Sequence, residues 1–178
     1  GSVYVLPAAP YATSDAQRGL RGTVYLDAET LWRCVVDTVT SLHHGGFLRC
    51  VILNMCSTNW TVKPAVRELN LRLNVGQTVW VEPKQFAYER YHAGRDEIED
   101  RHGGAVDTAL MMHCHPQTVG DPPADNVPTV GREFVDYAGL AAICPEGVWG
   151  RPGRATASMG AALFAHMLAE TVTYVEGA

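Results

Sequence analysis

The stretch Phe47-Leu48-Arg49-Cys50-Val51-Ile52-Leu53 decides the fold that we expect for this chain. It is a compact run rich in β-forming residues, which is typical of a strand buried in a parallel sheet. Before it, apolar residues recur at helical spacing from Leu31 to Leu42, between a capping Asp27 and the pair Gly45-Gly46. The sequence therefore predicts a helix that leads into a central strand.

The next segments repeat this alternation of helix and strand. The pattern predicts a helix over residues 64–76, closing near Gly76, and a strand over residues 78–81. This order implies an α/β fold with a mostly parallel sheet. In such sheets ligands bind beyond the carboxyl ends of the strands, so a site is expected at the loop 54–59.

The first residues and the middle of the chain are less regular. Residues 3–6 are predicted as a short strand, residues 8–22 as a long loop, and residues 23–26 as a short extended piece. The polar and charged segment 82–101 is interpreted as a surface excursion, in which His92 is a loop residue.

The second half of the chain carries two clear helical patterns. Helices are predicted over 105–114 and 156–175, with a long proline-containing loop over 120–133 between them. Gly160 inside the last helix predicts close packing against a neighbour. Because no repeat or interdomain linker is evident, we expect a single domain over residues 3–178.

Composition excludes several classes of function. The chain has 178 residues, of which 47% are apolar and 19% charged, so a globular fold with a core is expected. A net charge of -5 without a basic cluster argues against nucleic acid and anionic membranes as partners. No apolar run reaches the ~20 residues of a membrane span. The five cysteines contain no Cys-x-x-Cys, which favours a reduced, cytoplasmic protein.

The stretch that carries chemistry is Asp100-Arg101-His102-Gly103-Gly104-Ala105-Val106-Asp107-Thr108. A histidine in a glycine-rich turn, next to an acid and a hydroxyl at the start of a helix, suits proton transfer beside a substrate. The structural alternatives are a histidine that only holds the turn and an Asp107 that stabilises the helix dipole.

The loop after the central strand supplies a second group of candidates. Cys56 could act as a nucleophile whose thiol is activated by a nearby His102. Its structural alternative is a small buried residue. Thr58 and Asn59 could orient a substrate carbonyl or could cap the following helix.

These segments resemble the creatininase family of metal-dependent amidohydrolases. The His102 stretch is similar to the family motif Asp-x-His-Ala-Gly-x-x-Glu-Thr-Ser, and Gly147-Val148-Trp149-Gly150-Arg151-Pro152 is similar to its closing Gly-Val-x-Gly-Asp-Pro segment. The resemblance covers nearly all of the chain. It implies a three-layer α/β/α fold, a small polar substrate, self-assembly into rings, and a His102 that protonates the leaving nitrogen.

The chain departs from the family at the metal ligands. The family's opening Glu-His-Gly-x-His-Leu-Pro motif has no counterpart, so we expect a chain that is shortened at its N-terminus. Cys56 stands where the family has a ligand histidine, and Thr58 stands where it can have a glutamate. A two-metal site is therefore not expected, although Cys56 could bind a single zinc ion as a thiolate.

The sequence thus leads to two hypotheses. The first is a creatininase-like enzyme with a degenerate metal site that acts on an amide or another C–N bond of a small polar molecule. The second is a non-catalytic paralogue that serves as a subunit or ligand-binding partner of a full-length creatininase-like chain. Under either hypothesis we expect an oligomer, formed by identical chains or with a creatininase-like chain. The predicted catalytic residues are His102, Cys56 and Asp107, and the predicted substrate-binding residues are Thr58, Asn59, Asp100, Thr108 and Trp149.

Overall fold

The computed structural model describes residues 3–72, 77–94 and 100–178 of the chain. Its helices and strands in chain order are α1 (Ala28–His44), β1 (Arg49–Leu53), α2 (Val62–Arg72), β2 (Gln77–Val81), α3 (Pro83–His92), α4 (Ala105–Cys114), α5 (Phe134–Ala138), α6 (Leu140–Ile143) and α7 (Ala157–Gly177). Single 3-10 turns lie at Asp15–Gln17, Pro116–Thr118 and Pro152–Arg154.

Helix α1 follows its predicted pattern and ends at the predicted glycines. Gly46 has a φ of 90°, a left-handed conformation that glycine adopts without strain. This turn lets the Phe47 N–H donate to the Leu42 carbonyl at 3.1 Å, which closes the helix. Asp27 occupies the N-cap position, but its side chain makes no capping hydrogen bond, contrary to expectation.

The two strands pair in parallel, as predicted. Cys50 lies opposite Thr78, and Ile52 lies opposite Trp80. The expectation that the central strand is buried along its length is wrong, because β1 alternates: Cys50 is buried, whereas Val51 and Leu53 are 41% and 57% exposed. In the part of the chain that the structure describes, β1 has a neighbouring strand on one side only.

Helices lie on both faces of the sheet and give an α/β/α arrangement, in which Val51 and Leu53 of β1 stay exposed. On one face, Cys50 and Ile52 pack with apolar residues of α1 and α2. Val79 and Val81 point to the opposite face of β2, and α7 contacts this strand. Helices α3 and α4 pack on α7 around a core of Ala87, Tyr91, Ala105, Val106, Leu163 and Met167.

The packing between α4 and α7 depends on Gly160, as the sequence predicted. A β-carbon at this position would lie 1.9 Å from the carbonyl oxygen of Ala109 and 3.0 Å from the β-carbon of His113. Thr156 caps α7, because its side chain accepts a hydrogen bond from the Met159 N–H at 3.1 Å. The backbones of the two helices therefore approach closely at Ala109 and Gly160.

Two predictions for irregular segments are wrong. Residues 3–6 form no strand and are exposed. The first half of the segment 82–101 is helix α3, whose Ala87 and Tyr91 are buried one turn apart, so His92 ends a helix and is not a loop residue. The polar side chains of this segment lie on the other faces of the helix. Residues 95–99 and the predicted helix end near Gly76 lie outside the described residues.

The loop over 120–133 contains no helix. Asn126 forms an isolated bridge with Gly150, and Asp125 accepts a hydrogen bond from the Gly153 N–H at 3.2 Å. Over the described ranges, none of the helices has the length and hydrophobicity needed to span a bilayer.

Candidate functional site

A cavity of about 400 Å³ lies at the carboxyl ends of the two strands, where the topology predicts a site. Its walls come from the loop after β1, the first turns of α3, the turn that carries His102, and residues 132–149. The residues that line it are Ala16, Gln17, Asn54, Met55, Cys56, Ser57, Thr58, Glu82, Lys84, Gln85, Tyr88, Glu89, His92, Asp100, Arg101, His102, Arg132, Val135, Leu140 and Trp149.

The turn that carries His102 is held by backbone pairing with Trp149. The His102 N–H donates to the Trp149 carbonyl at 3.1 Å, and the Trp149 N–H donates back at 2.8 Å. Burial lowers the pKa of His102; the negative charge of Asp107 opposes this, and the ammonium of Lys84 adds to it. The imidazole is therefore neutral at pH 7 and able to accept a proton beside the cavity.

Asp107 joins α3 to the His102 turn. One carboxylate oxygen accepts from Lys84 Nζ at 2.9 Å, and the other accepts from the Tyr88 hydroxyl at 3.0 Å and the Gly103 N–H at 2.8 Å. Burial alone would raise the pKa of Asp107, but Lys84 and the hydrogen-bond donors lower it. This carboxylate remains charged and does not line the cavity, so it can act on His102 only through its field.

Asp100 is a buried carboxyl group, with 1% of its surface exposed. Its Oδ2 accepts from the Val106 N–H at 2.8 Å, whereas its Oδ1 has no hydrogen-bond partner among the described residues. Gly104 makes room for it, since a β-carbon there would lie 2.4 Å from Oδ1. Burial, and to a lesser degree the charge of Asp107, raise the pKa of Asp100 to about 6.

We expect Asp100→Asn to change how stability depends on pH. The folded protein holds a proton on Asp100 up to a pH of about 6, whereas an ordinary aspartate loses it near its pKa of 3.8. The contribution of Asp100 to the free energy of unfolding of the wild type therefore falls as the pH rises from 3.8 to above 6. By linkage, the ionised carboxylate costs roughly 3 kcal/mol at pH 8. The asparagine cannot ionise and keeps an acceptor for Val106. In urea unfolding, the free energy of unfolding of the variant relative to that of the wild type should therefore increase between pH 4 and pH 8.

The control for this prediction is Asp121→Asn, which removes an exposed carboxylate outside the cavity. It should leave the pH dependence as it is in the wild type. His102 also contributes to the change of the free energy of unfolding with pH. This contribution is the same in the wild type and in both variants, so it cancels in the comparison. If the Asp100 variant and the wild type differ by the same amount at both pH values, Asp100 is not protonated in the folded protein.

The loop after β1 is fixed by a chain of side-chain hydrogen bonds. Asn54 Nδ2 donates to Glu82 at 2.7 Å, and Asn59 Nδ2 donates to Asn54 Oδ1 at 2.9 Å. Asn59 Oδ1 accepts in turn from the backbone N–H of Thr13 at 3.1 Å. This network ties the ends of both strands to the first described segment of the chain. It also occupies the side chain of Asn59, which does not line the cavity.

The structure thus brings together some of the predicted site residues. Cys56 and Thr58 lie at the cavity with Cys56 Sγ 3.0 Å from Thr58 Oγ1, and His102, Asp100 and Trp149 line the same cavity. Three predicted residues are not brought to the cavity wall: Asp107, Asn59 and Thr108.

Sequence reasoning missed Lys84, Tyr88, Arg101 and Arg132, all of which line the cavity. A signal for the first two existed. Residues that directly follow a second parallel strand meet the loop after the first strand at one sheet edge, and Lys84 follows β2 closely. Tyr88 is one helical turn further along α3. Arg101 lies in the stretch that carries His102, so its position in the sequence was also a signal. Arg132 had none, because its loop reaches the cavity through tertiary packing.

A family model described as creatinine amidohydrolase matches residues 1–175, nearly the whole sequence. The chain belongs to the creatininase family. No curated protein gives a match.

Solved members of the family share the fold. A putative creatinine amidohydrolase from Bacteroides fragilis NCTC 9343 superposes with a TM-score of 0.75 at 22% identity, over 93% of this chain and 68% of that chain. A creatininase with a single tryptophan-to-phenylalanine substitution gives 0.73 at 22% identity, over 89% of this chain and 67% of the other. A structure described as creatininase with Mn gives 0.70 at 22% identity, over 84% and 64%. This chain therefore spans about two thirds of their length, and the likeness concerns the fold.

Creatininase structures contain metal ions, as the descriptions with Mn and with a Zn-Zn pair state. The residues that the structure describes do not assemble such a centre. Among the residues that the structure describes, no three histidine, cysteine, aspartate or glutamate side chains come close enough together to hold a metal ion. At the cavity, the Glu82 carboxylate accepts from Asn54, and Cys56 Sγ lies within hydrogen-bonding distance of a hydroxyl group.

Proposed function

We propose that this chain is an amidohydrolase-type enzyme that cleaves an amide or another C–N bond of a small polar molecule, with His102 as the proton carrier. The observation that carries the proposal is a neutral, half-buried imidazole on the wall of a cavity of about 400 Å³. Cavities of this size accommodate small ligands. Membership of the creatininase family supports the reaction class.

In the proposed reaction, His102 takes a proton from the nucleophile as it attacks the carbonyl carbon. The new bond forms at carbon, the C–N bond breaks, and the imidazolium returns the proton to the leaving nitrogen. The nucleophile is a water molecule or the thiol of Cys56, whose acyl intermediate water then hydrolyses. The charge of Asp107 stabilises the imidazolium during the transfer.

The other predicted residues have supporting parts in this proposal. Thr58, Asp100 and Trp149 are proposed to contact the substrate, because they line the cavity with His102. The protonated form of Asp100 can donate a hydrogen bond to a substrate oxygen at a pH below about 6. Asn59 and Thr108 do not line the cavity, so we propose that they hold the surrounding backbone in place and do not contact the substrate.

The metal requirement of this chain is part of the proposal. We propose that the chain by itself does not hold a pair of divalent ions, and a single zinc ion at Cys56 remains the alternative. A cytoplasmic location is also proposed, and it is supported by the five free cysteines.

The alternative function is a non-catalytic subunit or ligand-binding partner of a full-length creatininase-like chain. It is favoured by one observation: Val51 and Leu53 are exposed on β1, which has a strand neighbour on one side only among the described residues. Exposed strand edges and apolar side chains mark interfaces.

A hydrolysis assay distinguishes the two hypotheses. Purified protein is incubated with small linear and cyclic amides, with EDTA and separately with added Zn²⁺ or Mn²⁺, and released amine or ammonia is measured. The enzyme hypothesis expects turnover by the chain alone. The alternative expects no turnover under any condition, together with a complex with a full-length creatininase-like chain. Light scattering tests the self-association that we propose under either hypothesis, which requires a mass well above 19.4 kDa.

A further inference from the structure

Two arginines line the cavity close to the proposed proton carrier. Arg101 is the residue before His102, and Arg132 lies in the loop before α5. The guanidinium carbon of Arg101 lies 5.7 Å from the centre of the Trp149 ring, so the ring supports this side chain from one side. Arg132 is exposed to solvent. The two side chains come from distant parts of the chain and meet at one wall.

Neither arginine has an ion-pair partner within the described ranges. By contrast, Lys84, the other cation at the cavity, is paired with Asp107 at 2.9 Å. Glu133 is the acid nearest in sequence to Arg132, but its carboxylate lies against Gly131. A β-carbon at Gly131 would be 2.1 Å from Glu133 Oε1.

The two positive charges act on each other. Burial lowers the pKa of Arg101, and the charge of Arg132 lowers it further, while Glu133 opposes the effect. Two guanidinium groups at one partly buried wall repel each other, and an anion between them would relieve that repulsion. The arrangement therefore favours a negatively charged group in the cavity.

We propose that Arg101 and Arg132 bind a carboxylate of the substrate, so that the substrates are small amides that carry a carboxylate away from the scissile bond. This inference rests on the proposed amidohydrolase function and names the substrate class for the same cavity. Two planar guanidinium forks match the geometry of a carboxylate. Because Arg101 adjoins His102 in the chain, a carboxylate held there fixes the rest of the molecule beside the imidazole.

The test is a binding experiment that does not need turnover. Titrations followed by ligand NMR and calorimetry compare matched pairs in which a carboxylate is replaced by its neutral amide: succinamate with succinamide, glutaramate with glutaramide, and hippurate with hippuramide. We expect at least one carboxylate to bind about tenfold or more tightly than its amide, as charge-assisted hydrogen bonds do.

Variants then assign the effect to the two arginines. Arg101→Gln and Arg132→Gln should each weaken carboxylate binding about tenfold and leave amide binding unchanged. Arg101→Lys should recover part of the loss, because it keeps the charge but not the fork. Arg67→Gln removes the same charge from an exposed position on α2, outside the cavity, and should have no effect. Arg132 is exposed, so its variant is expected to fold even if substitution of Arg101 disturbs the turn.

Several results would overturn the proposal. These are equal binding of acids and amides throughout the series, no binding by any acid, or an equal loss in the Arg67 variant. Inorganic phosphate that binds more tightly than every carboxylate, with the same dependence on both arginines, would refute the carboxylate assignment. Arginine-dependent binding of a carboxylate, without hydrolysis of any amide in the assay, would support the carboxylate site at the two arginines and refute the proposed function.

Discussion

Gly160→Ala is expected to destabilise the protein by roughly 3 kcal/mol or more, because overpacking against a backbone atom cannot be relieved by a rotamer change. The added methyl group would lie 1.9 Å from the Ala109 carbonyl oxygen, so α4 and α7 must move apart. On helix propensity alone, the same substitution would stabilise α7 by about 1 kcal/mol. A decrease in the free energy of unfolding would therefore report the close contact between α4 and α7. Urea unfolding followed by circular dichroism gives the difference.

Gly177→Ala provides the matched control in the same helix. A β-carbon at Gly177 has nothing within 4 Å, so this variant should be neutral or slightly more stable than the wild type. If Gly160→Ala unfolds at the same urea concentration as the wild type, the close approach of α4 and α7 is wrong. The proposed reason for a glycine at this position would then fail as well.

His102→Gln is expected to lower the hydrolysis rate by about 100-fold or more, the usual contribution of a positioned acid–base group. The backbone bridge to Trp149 does not involve the side chain, so the turn should keep its shape. Because burial lowers the pKa of His102, the wild-type rate should stay high at pH 7 and fall only at a pH below the usual value of 6.5. The variant should lack this fall in rate at low pH, the acid limb of the pH profile.

Two further variants sharpen this test. His115→Gln changes an exposed histidine that follows α4, outside the cavity, and should keep the wild-type rate and pH profile. Cys56→Ser separates the two nucleophiles: a loss as large as that of His102→Gln supports attack by the thiol, whereas a small loss supports attack by water. Full activity of His102→Gln with an unchanged acid limb would refute the assignment of His102.

The parts of the fold that could be predicted are those with strong local patterns. Helix α1 has apolar residues at helical spacing and a glycine stop, and α7 has a threonine cap. The position of the cavity followed from the parallel order of the strands. Helix α3 was missed because its buried face consists of Pro83, Ala87 and Tyr91, which gives little hydrophobic periodicity among charged neighbours.

The parts of the site that could not be predicted depend on contacts between distant segments. Asp107 was expected near a substrate, but Lys84 and Tyr88 reach it from α3 and take up its oxygens. The side-chain oxygen of Asn59 accepts from Thr13, a residue in a segment without regular structure. No local pattern encodes such pairs, because they exist only once the tertiary packing brings the segments together. The strand-end rule locates a site, but packing determines which side chains remain available in it.

The hydrogen-bonded chain from Glu82 through Asn54 and Asn59 to Thr13 bears on how tightly a ligand can bind. Each amide in it is already held by a neighbour, so the loop beneath Cys56 has little conformational freedom to lose when a molecule enters. Ordering a loop or a mobile side chain on binding costs affinity, and a loop that is already ordered avoids most of that entropic cost. The freedom that a ligand must still restrict then lies in exposed side chains of the cavity wall, such as those of Gln85 and Arg132.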